Sequence, residues 1–459
     1  MKVIRFEVVQ HGLWIPCVVI GFMPVWAQEA AFGQLPAHLP AVASDKIDSS
    51  EHAVREEQPA TTENATAASP SSPTTEHATA SQLPRVFLLD AQRLQSEKEK
   101  FRAGGDPILV AAVSRLEQDA KRLLTVTPVS VVDKDNTPPS GDKHDYMSQA
   151  PYFWPDPNLP DGSPYIRRDG ERNPEINMYR NHQDMSRMAG MVETLALAYY
   201  FTGDETYAGK ATQFLRVWFL EPSTKMNPNL QYAQAVPGTN TGRGTGLIES
   251  ICLARLVDDI GVLHGSKAWT DDNQRGMEDW YGKFLKWMLE SKNGCDEAAA
   301  KNNHGTYYDM QVVCYAFFLG KVELAKSVIQ QVGSKRIAVQ IEPDGREPLE
   351  LVRTKAWGYS TVNLSGLMSL AKLAEHVDVD LWNFHTADGR SIRQAIDFLL
   401  PFAAGEKKWT YQQLGGWTPG GFTSILRQAA VKYSDERYSA VLAKLSMRDN
   451  NTNWHDLLR

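Results

Sequence analysis

Residues 186–201 read SRMAGMVETLALAYYF and residues 205–219 read ETYAGKATQFLRVWF, with Thr202-Gly203-Asp204 between them. Apolar side chains recur at helical spacing in the first run. In the second, Tyr207, Ala211, Phe214, Leu215 and Trp218 fall on one side of a helix. The break between them makes the pair a helical hairpin. A second copy follows at 308–319 and 322–332, broken at Gly320, and YYFTGDETYAGKA aligns loosely with AFFLGKVELAKSV. The same periodicity predicts helices over 247–263, 271–291, 361–376 and 391–402, and strand-like alternation is scarce. A tetratricopeptide-like solenoid would also be built of helical hairpins. Here the connecting segments are long, aromatic and irregular, and no constant short period repeats. A ring of helix pairs gathers long loops at one end, so the expected architecture is all-α: an incomplete (α/α) toroid built of helical hairpins.

The chain has 459 residues, 42% of them apolar, enough to bury a sizeable core. A formal net charge of −7 argues against a generally basic nucleic-acid binder. Four cysteines and no CxxC pair exclude a disulfide-stapled scaffold and a thiolate zinc site, and neither metal nor cofactor is expected. Residues 1–27 read as a secretory signal: Lys2 and Arg5 precede an apolar run at 12–26, with a cut after Ala27. That run is short for a membrane span and carries Pro16 and Pro24, so export to the periplasm or medium is expected rather than stable membrane insertion. Residues 28–82 are rich in Ala, Thr, Ser, Glu and Pro, with eight acidic and two basic side chains, and read as a disordered linker. Residues 83–459 form the body, with a net charge of only −2; affinity for a polyanion must come from local placement. Cys252, Cys295 and Cys314 are expected as buried thiols, with one disulfide left open. The body is expected to act as a monomer.

Three connecting segments are richer in polar function than the helices. Residues 143–173 hold five prolines, the aromatics Tyr146, Tyr152, Phe153, Trp154 and Tyr165, and Arg167, Arg168 and Arg172. This is either a proline-stiffened loop packed on the body or the wall of a saccharide cleft, with rings for sugar faces and guanidinium groups for carboxylates. In 301–308, KNNHGTYY, an amide and an imidazole stand at the first turn of a helix, whose N-terminus favours anions. In 343–363, Glu350, Arg353 and Tyr359 stand among turn-forming neighbours.

The runs HDYMSQAPYFWPDP, DGSPYIRRDGERNPE, KNNHGTYYD and EPLELVRTKAWGYSTVNL resemble the alginate-lyase-type polysaccharide lyases of helical toroid fold, from about Leu83 to at least Leu373. The resemblance implies a catalytic set of Asn303, His304, Arg353 and Tyr359. The candidate substrate contacts are Tyr146, Tyr152, Trp154, Arg167, Arg168, Arg243 and Tyr307. Two departures stand out: Gly305-Thr306-Tyr307 replaces the usual Ser-Tyr-Trp after NNH, and the Arg-to-Tyr spacing is one residue shorter. The chain is more similar to the branches that contain broad alginate lyases and glucuronan lyases. The implied substrate is an anionic polysaccharide, alginate first and glucuronan next.

β-Elimination removes the C5 proton of a 4-linked uronate and expels the C4 oxygen. A site must neutralise the carboxylate, stabilise the developing enolate, and bring a base to C5 and an acid to O4. Asn303 and Arg353 suit the carboxylate. In mannuronate and glucuronate one phenol, Tyr359, reaches both atoms, and an adjacent guanidinium is expected to lower its pKa. In guluronate the C5 proton lies on the other face, and His304 becomes the base. Two alternatives stay open. One is a glycoside hydrolase on a similar helical toroid, using carboxylates among Glu249, Asp309 and Glu350. The other is a non-catalytic polyuronate-binding protein.

Overall fold

The computed structural model describes residues 83–446 and Trp454. The signal at 1–27 and the linker at 28–82 lie outside the described residues. The described chain is mainly helical, with α1 (Ala91–Ala103), α2 (Pro107–Leu123), α3 (Asn181–Thr202), α4 (Glu205–Leu215) and α5 (Ile251–Leu263) in its first half. There follow α6 (Asp271–Glu290), α7 (Lys292–Ala298), α8 (Asn303–Phe318), α9 (Val322–Val332) and the short α10 (Ala338–Gln340) and α11 (Pro348–Leu351). The last are α12 (Ala356–Ala374), α13 (Ile392–Ala403), α14 (Phe422–Tyr433) and α15 (Glu436–Ser446).

The helices sort into two layers by the distribution of their apolar residues. α3, α5, α8 and α12 are apolar nearly all round; every residue of α8 is buried. A helix of that kind needs neighbours on every side. They form an inner row in which α3 lies against α5, α5 against α8, and α8 against α12. The outer helices carry one apolar stripe. In α2 it is Leu109, Ala112, Val113, Leu116 and Ala120, and α2 packs on α3. α4 returns along α3, α6 lies against α8, α9 returns along α8, and α13 and α14 flank α12. This is the incomplete (α/α) toroid of helical hairpins. The hairpins read at 186–219 and 308–332 are α3–α4 and α8–α9. In the first, the Asp204 carboxylate caps α4 by accepting from the Thr206 amide.

Strands are confined to the connections. β1 (Met147–Gln149) pairs in parallel with β4 (Tyr232–Ala235), and β2 (Phe153–Trp154) pairs antiparallel with β3 (Ile166–Arg167). The turn-rich segment 405–422 wraps the start of α12: Ala356 N donates to Gln412 O (3.0 Å) and Trp357 N to the Gln413 side chain (3.0 Å). The rings of Trp409, Trp417 and Phe422 pack on Trp357. At the other end of the body, the amides of Phe87, Leu88 and Leu89 all donate to buried Asp258 of α5 (2.7, 2.8 and 2.5 Å). Cys252, Cys295 and Cys314 are free thiols; Cys314 is buried, but Cys295 is exposed, against the expectation of buried thiols. No helix among the described residues is long and apolar enough to cross a membrane.

Candidate active site

The segments leading into the inner helices carry the polar residues. Asn303 and His304 open α8, and both are buried. Asn302 makes no side-chain cap. The cap comes from across the fold: Glu350 accepts from the Asn303 amide N–H (2.8 Å) and from Asn303 Nδ2 with both oxygens (2.9 and 2.8 Å). The anion drawn to this helix N-terminus is therefore Glu350. The donor end of the Asn303 amide is engaged there, while its buried Oδ1 makes no hydrogen bond. The expected role of Asn303 as a donor to substrate is not met: its Nδ2 turns inward to Glu350.

Gly305 accounts for the departure after NNH. A Cβ at this position would lie 2.1 Å from Ala300 O and 2.2 Å from Arg336 Nη1. Buried Arg336 fills that space. It donates to the carbonyls of Ala298 (2.9 Å) and Ala300 (2.6 Å) and pairs with Asp309 through Nε (2.7 Å) and Nη2 (3.0 Å). It thereby stitches the chain ahead of Asn303 onto the second turn of α8.

His304 Nδ1 lies 2.5 Å from Glu297 Oε1, and both side chains are almost wholly buried. A carboxylate at Nδ1 favours the tautomer with its proton there, which makes Nε2 the basic nitrogen of the neutral ring. Glu297 is not singled out by the sequence; its one signal is that it lies in the last turn of the short α7, shortly before NNH.

Arg353 lies 3.9 Å over the Tyr359 ring centroid, and Tyr359 OH donates to Tyr152 OH at 3.1 Å. Burial pushes the Tyr359 phenol well above its usual range, helped by Tyr152; Arg353 pulls the other way without prevailing. The expectation that the guanidinium brings this phenol down is met in sign of contribution but not in outcome. The Nε–Nη2 edge of Arg353 is occupied by Asp169, through Nε (3.1 and 3.2 Å) and Nη2 (2.5 Å). Thr354 adds its amide (3.1 Å) and hydroxyl (2.9 Å) to the same carboxylate. Burial opposes the Asp169 charge, but Arg353 and the Thr354 amide hold its carboxyl down at about 2. Glu350 sits one helical turn before Arg353 and links this group to α8. Burial raises its carboxyl to about 7, against the stabilising Asn303 bonds and the Arg353 charge.

The structure spreads the remaining candidates over two groups. Tyr152, Trp154, Arg167 and Arg168 belong to the 143–173 segment beside Tyr359. Arg168 stacks on Trp154 (4.8 Å) and pairs with Glu171 (2.5 Å), and Arg167 pairs with Asp169 (2.5 Å). Arg243 stacks on Phe153 (4.9 Å) and donates to Gln234 Oε1 (2.8 Å); burial lowers its pKa to about 10. Tyr146 and Tyr307 are placed differently. Tyr146 is fully buried with its hydroxyl on Glu249 (2.7 Å), and Tyr307 lies in the core with its hydroxyl on Val362 O (2.9 Å). The three carboxylates of the hydrolase alternative are all engaged. Glu249 holds Tyr146 and Ser148, Asp309 holds Arg336, and Glu350 caps α8. Among the described residues no group of three or more His, Cys, Asp or Glu is arranged to hold a metal ion.

An inner row of buried helices, with a phenol under a guanidinium at the entry to α12 and an amide and an imidazole at the entry to α8, is the (α/α)-toroid architecture of a polysaccharide lyase family. The chain belongs to the alginate lyase family, whose model matches residues 130–409. It is 41% identical to an alginate lyase from Bacteroides ovatus, over 82% of this chain and 100% of that one, with a TM-score of 0.78. Alginate lyase A1-III of Sphingomonas species A1, complexed with a tetrasaccharide, is 15% identical over 79% of this chain and 93% of its own, with a TM-score of 0.50, and shows the shared fold. No curated protein matches the chain.

Proposed function

We propose that this lyase cleaves alginate by β-elimination, with Asn303, His304, Arg353 and Tyr359 as its catalytic set. The observation that carries the reading is that Glu350 ties the first turn of α8 to the turn bearing Arg353, which lies over Tyr359, in a chain of this family. Tyr359, acting as the phenolate under Arg353, takes the C5 proton of mannuronate; the C5 electron pair forms the C4=C5 bond, the C4–O4 bond breaks, and the phenol so formed gives that proton to O4, which regenerates the phenolate. His304 partners the carboxylate in that reaction and serves as base for guluronate, Glu297 holding its ring. Asn303 presents Oδ1 to a substrate donor. Tyr152, Trp154, Arg167, Arg168 and Arg243 line the path of the polymer. Export by residues 1–27 and action as a monomer belong to the same reading.

The test is the ultraviolet band of the unsaturated uronate, followed on mannuronate-rich and guluronate-rich alginate and on glucuronan. Hydrolysis would release reducing ends without the band, and a binding protein would do neither. Tyr359→Phe, folded by circular dichroism, should lose about 10²–10⁴-fold on every polymer. His304→Gln should lose more on guluronate-rich alginate. Substantial activity in folded Tyr359→Phe removes Tyr359 from the mechanism, and equal losses in His304→Gln remove the division of labour.

A further inference from the structure

We infer that Asp169 is a positioning residue: it takes the Nε–Nη2 edge of Arg353 and holds the guanidinium over the Tyr359 ring, so that Arg353 acts on catalysis through the phenol and not as a fork for the substrate carboxylate. The inference rests on the reading of Tyr359 as the acid–base group.

Three observations carry it. Asp169 accepts from two nitrogens of Arg353, from the Thr354 amide and from the Thr354 hydroxyl, and it also receives Arg167. A substrate carboxylate displacing it would strand the Thr354 donors along with Arg167, so Asp169 is a fixture and not a placeholder. The backbone is built for the contact. Gly170 has φ +74°, and a Cβ there would lie 2.2 Å from Thr354 Oγ1, so the loop can approach this closely only with glycine after the aspartate. The guanidinium, pinned along one edge, lies 3.9 Å over the Tyr359 centroid, where its charge favours a phenolate whose charge spreads into the ring. Arg353 is 8% exposed, and its charge is largely matched by Asp169, which weakens its pull on an arriving anion. Asp169 and Thr354 are 185 residues apart in the chain, so this bond also fastens the 143–173 segment, with Tyr152 and Trp154, to the turn that enters α12.

The experiment is a steady-state comparison on mannuronate-rich alginate across pH. Asp169→Asn should lower kcat by roughly 10²-fold, the scale of a misplaced catalytic group, with KM little changed. Its ascending alkaline limb should move down by about one pH unit, because the carboxylate no longer offsets Arg353 beside the phenol. Thr354→Val keeps every charge and removes one bond to Asp169; it should lower kcat several-fold and leave the limb in place. A raised KM with unchanged kcat in Asp169→Asn overturns the inference and makes Arg353 a carboxylate ligand. A wild-type kcat and pH profile also overturns it. If Asp169→Asn does not fold, Thr354→Val decides: lowered kcat at constant KM supports the inference, and wild-type kcat overturns it. Tyr359→Phe is run beside them. If it is inactive, failure of the Asp169 prediction counts against the inference alone; if it keeps its activity, both the inference and the assignment of Tyr359 fall.

Discussion

At the scale of single residues, Glu350 sets activity against stability. As a carboxylate it accepts three hydrogen bonds from Asn303 and fixes that amide; protonated, it can no longer accept from all of them. Burial raises its pKa from 4.5 to about 7. A carboxyl raised on folding adds stability below its unfolded pKa, and that contribution is lost as pH rises through the folded value. Activity should therefore fall as pH drops through about 7, while the contribution of Glu350 to stability grows over the same window. In Glu350→Gln the activity should be lower and its acid limb flattened, and the melting temperature should depend less on pH between 5 and 8. A variant whose melting temperature follows pH as the wild type does would show that Glu350 does not titrate there. Asn303, His304, Arg353 and Tyr359 could be singled out as candidates from the sequence because each stands in a contiguous motif. Asp169, Glu297 and the capping role of Glu350 were not. Their partners are set by tertiary approach, across 184 residues for Asp169 and Arg353, and local spacing carries no trace of it.

At the scale of elements, periodicity located the inner helices because a helix buried all round needs long apolar runs. The outer α1, α2, α14 and α15 escaped notice. In α1, AQRLQSEKEKFRA, only Leu94 is buried and Phe101 is the one other large apolar side chain, and two positions seven apart give little period to read. The start of α8 depends on Arg336, which holds the carbonyls ahead of it and neutralises Asp309. Arg336→Met should leave buried Asp309 with only the longer Lys335 contact (3.9 Å) and cost up to about 3–5 kcal/mol, read as a lower denaturation midpoint, with a loss of lyase rate as Asn303 and His304 lose their support. Gly305→Ser restores the residue usual in the family, yet its Cβ meets Arg336 and Ala300 O, so it should destabilise as well. An unchanged midpoint in Arg336→Met would mean that the turn is held by other contacts.

At the scale of the whole molecule, the order of helices around the row follows from the hairpin pattern, but where the folded body begins does not. Residues 84–89 carry no helical period, and composition alone set the boundary at 83. Asp258 on α5 supplies the physical reason: its buried carboxylate takes three successive amides, Phe87 stacks on Phe317 at 5.3 Å, and Arg85 Nη2 donates to Phe317 O at 2.8 Å. Gly261 lets α5 approach Arg85 O so closely that a Cβ would lie 1.9 Å away. These contacts fasten residues 85–89 across α5 and α8, two members of the inner row. A chain starting at Leu83 should keep the full specific activity of the longer one on soluble alginate. A chain starting at Asp90 removes all three amides from a buried carboxylate, each bond to a charged group contributing about 1.5–3 kcal/mol, and should unfold at clearly lower denaturant. The check is a pair of urea titrations with lyase rates measured beside them. Equal midpoints would show that the Asp258 clasp does not contribute to stability, and a loss of activity already at Leu83 would show that residues 28–82 support the body.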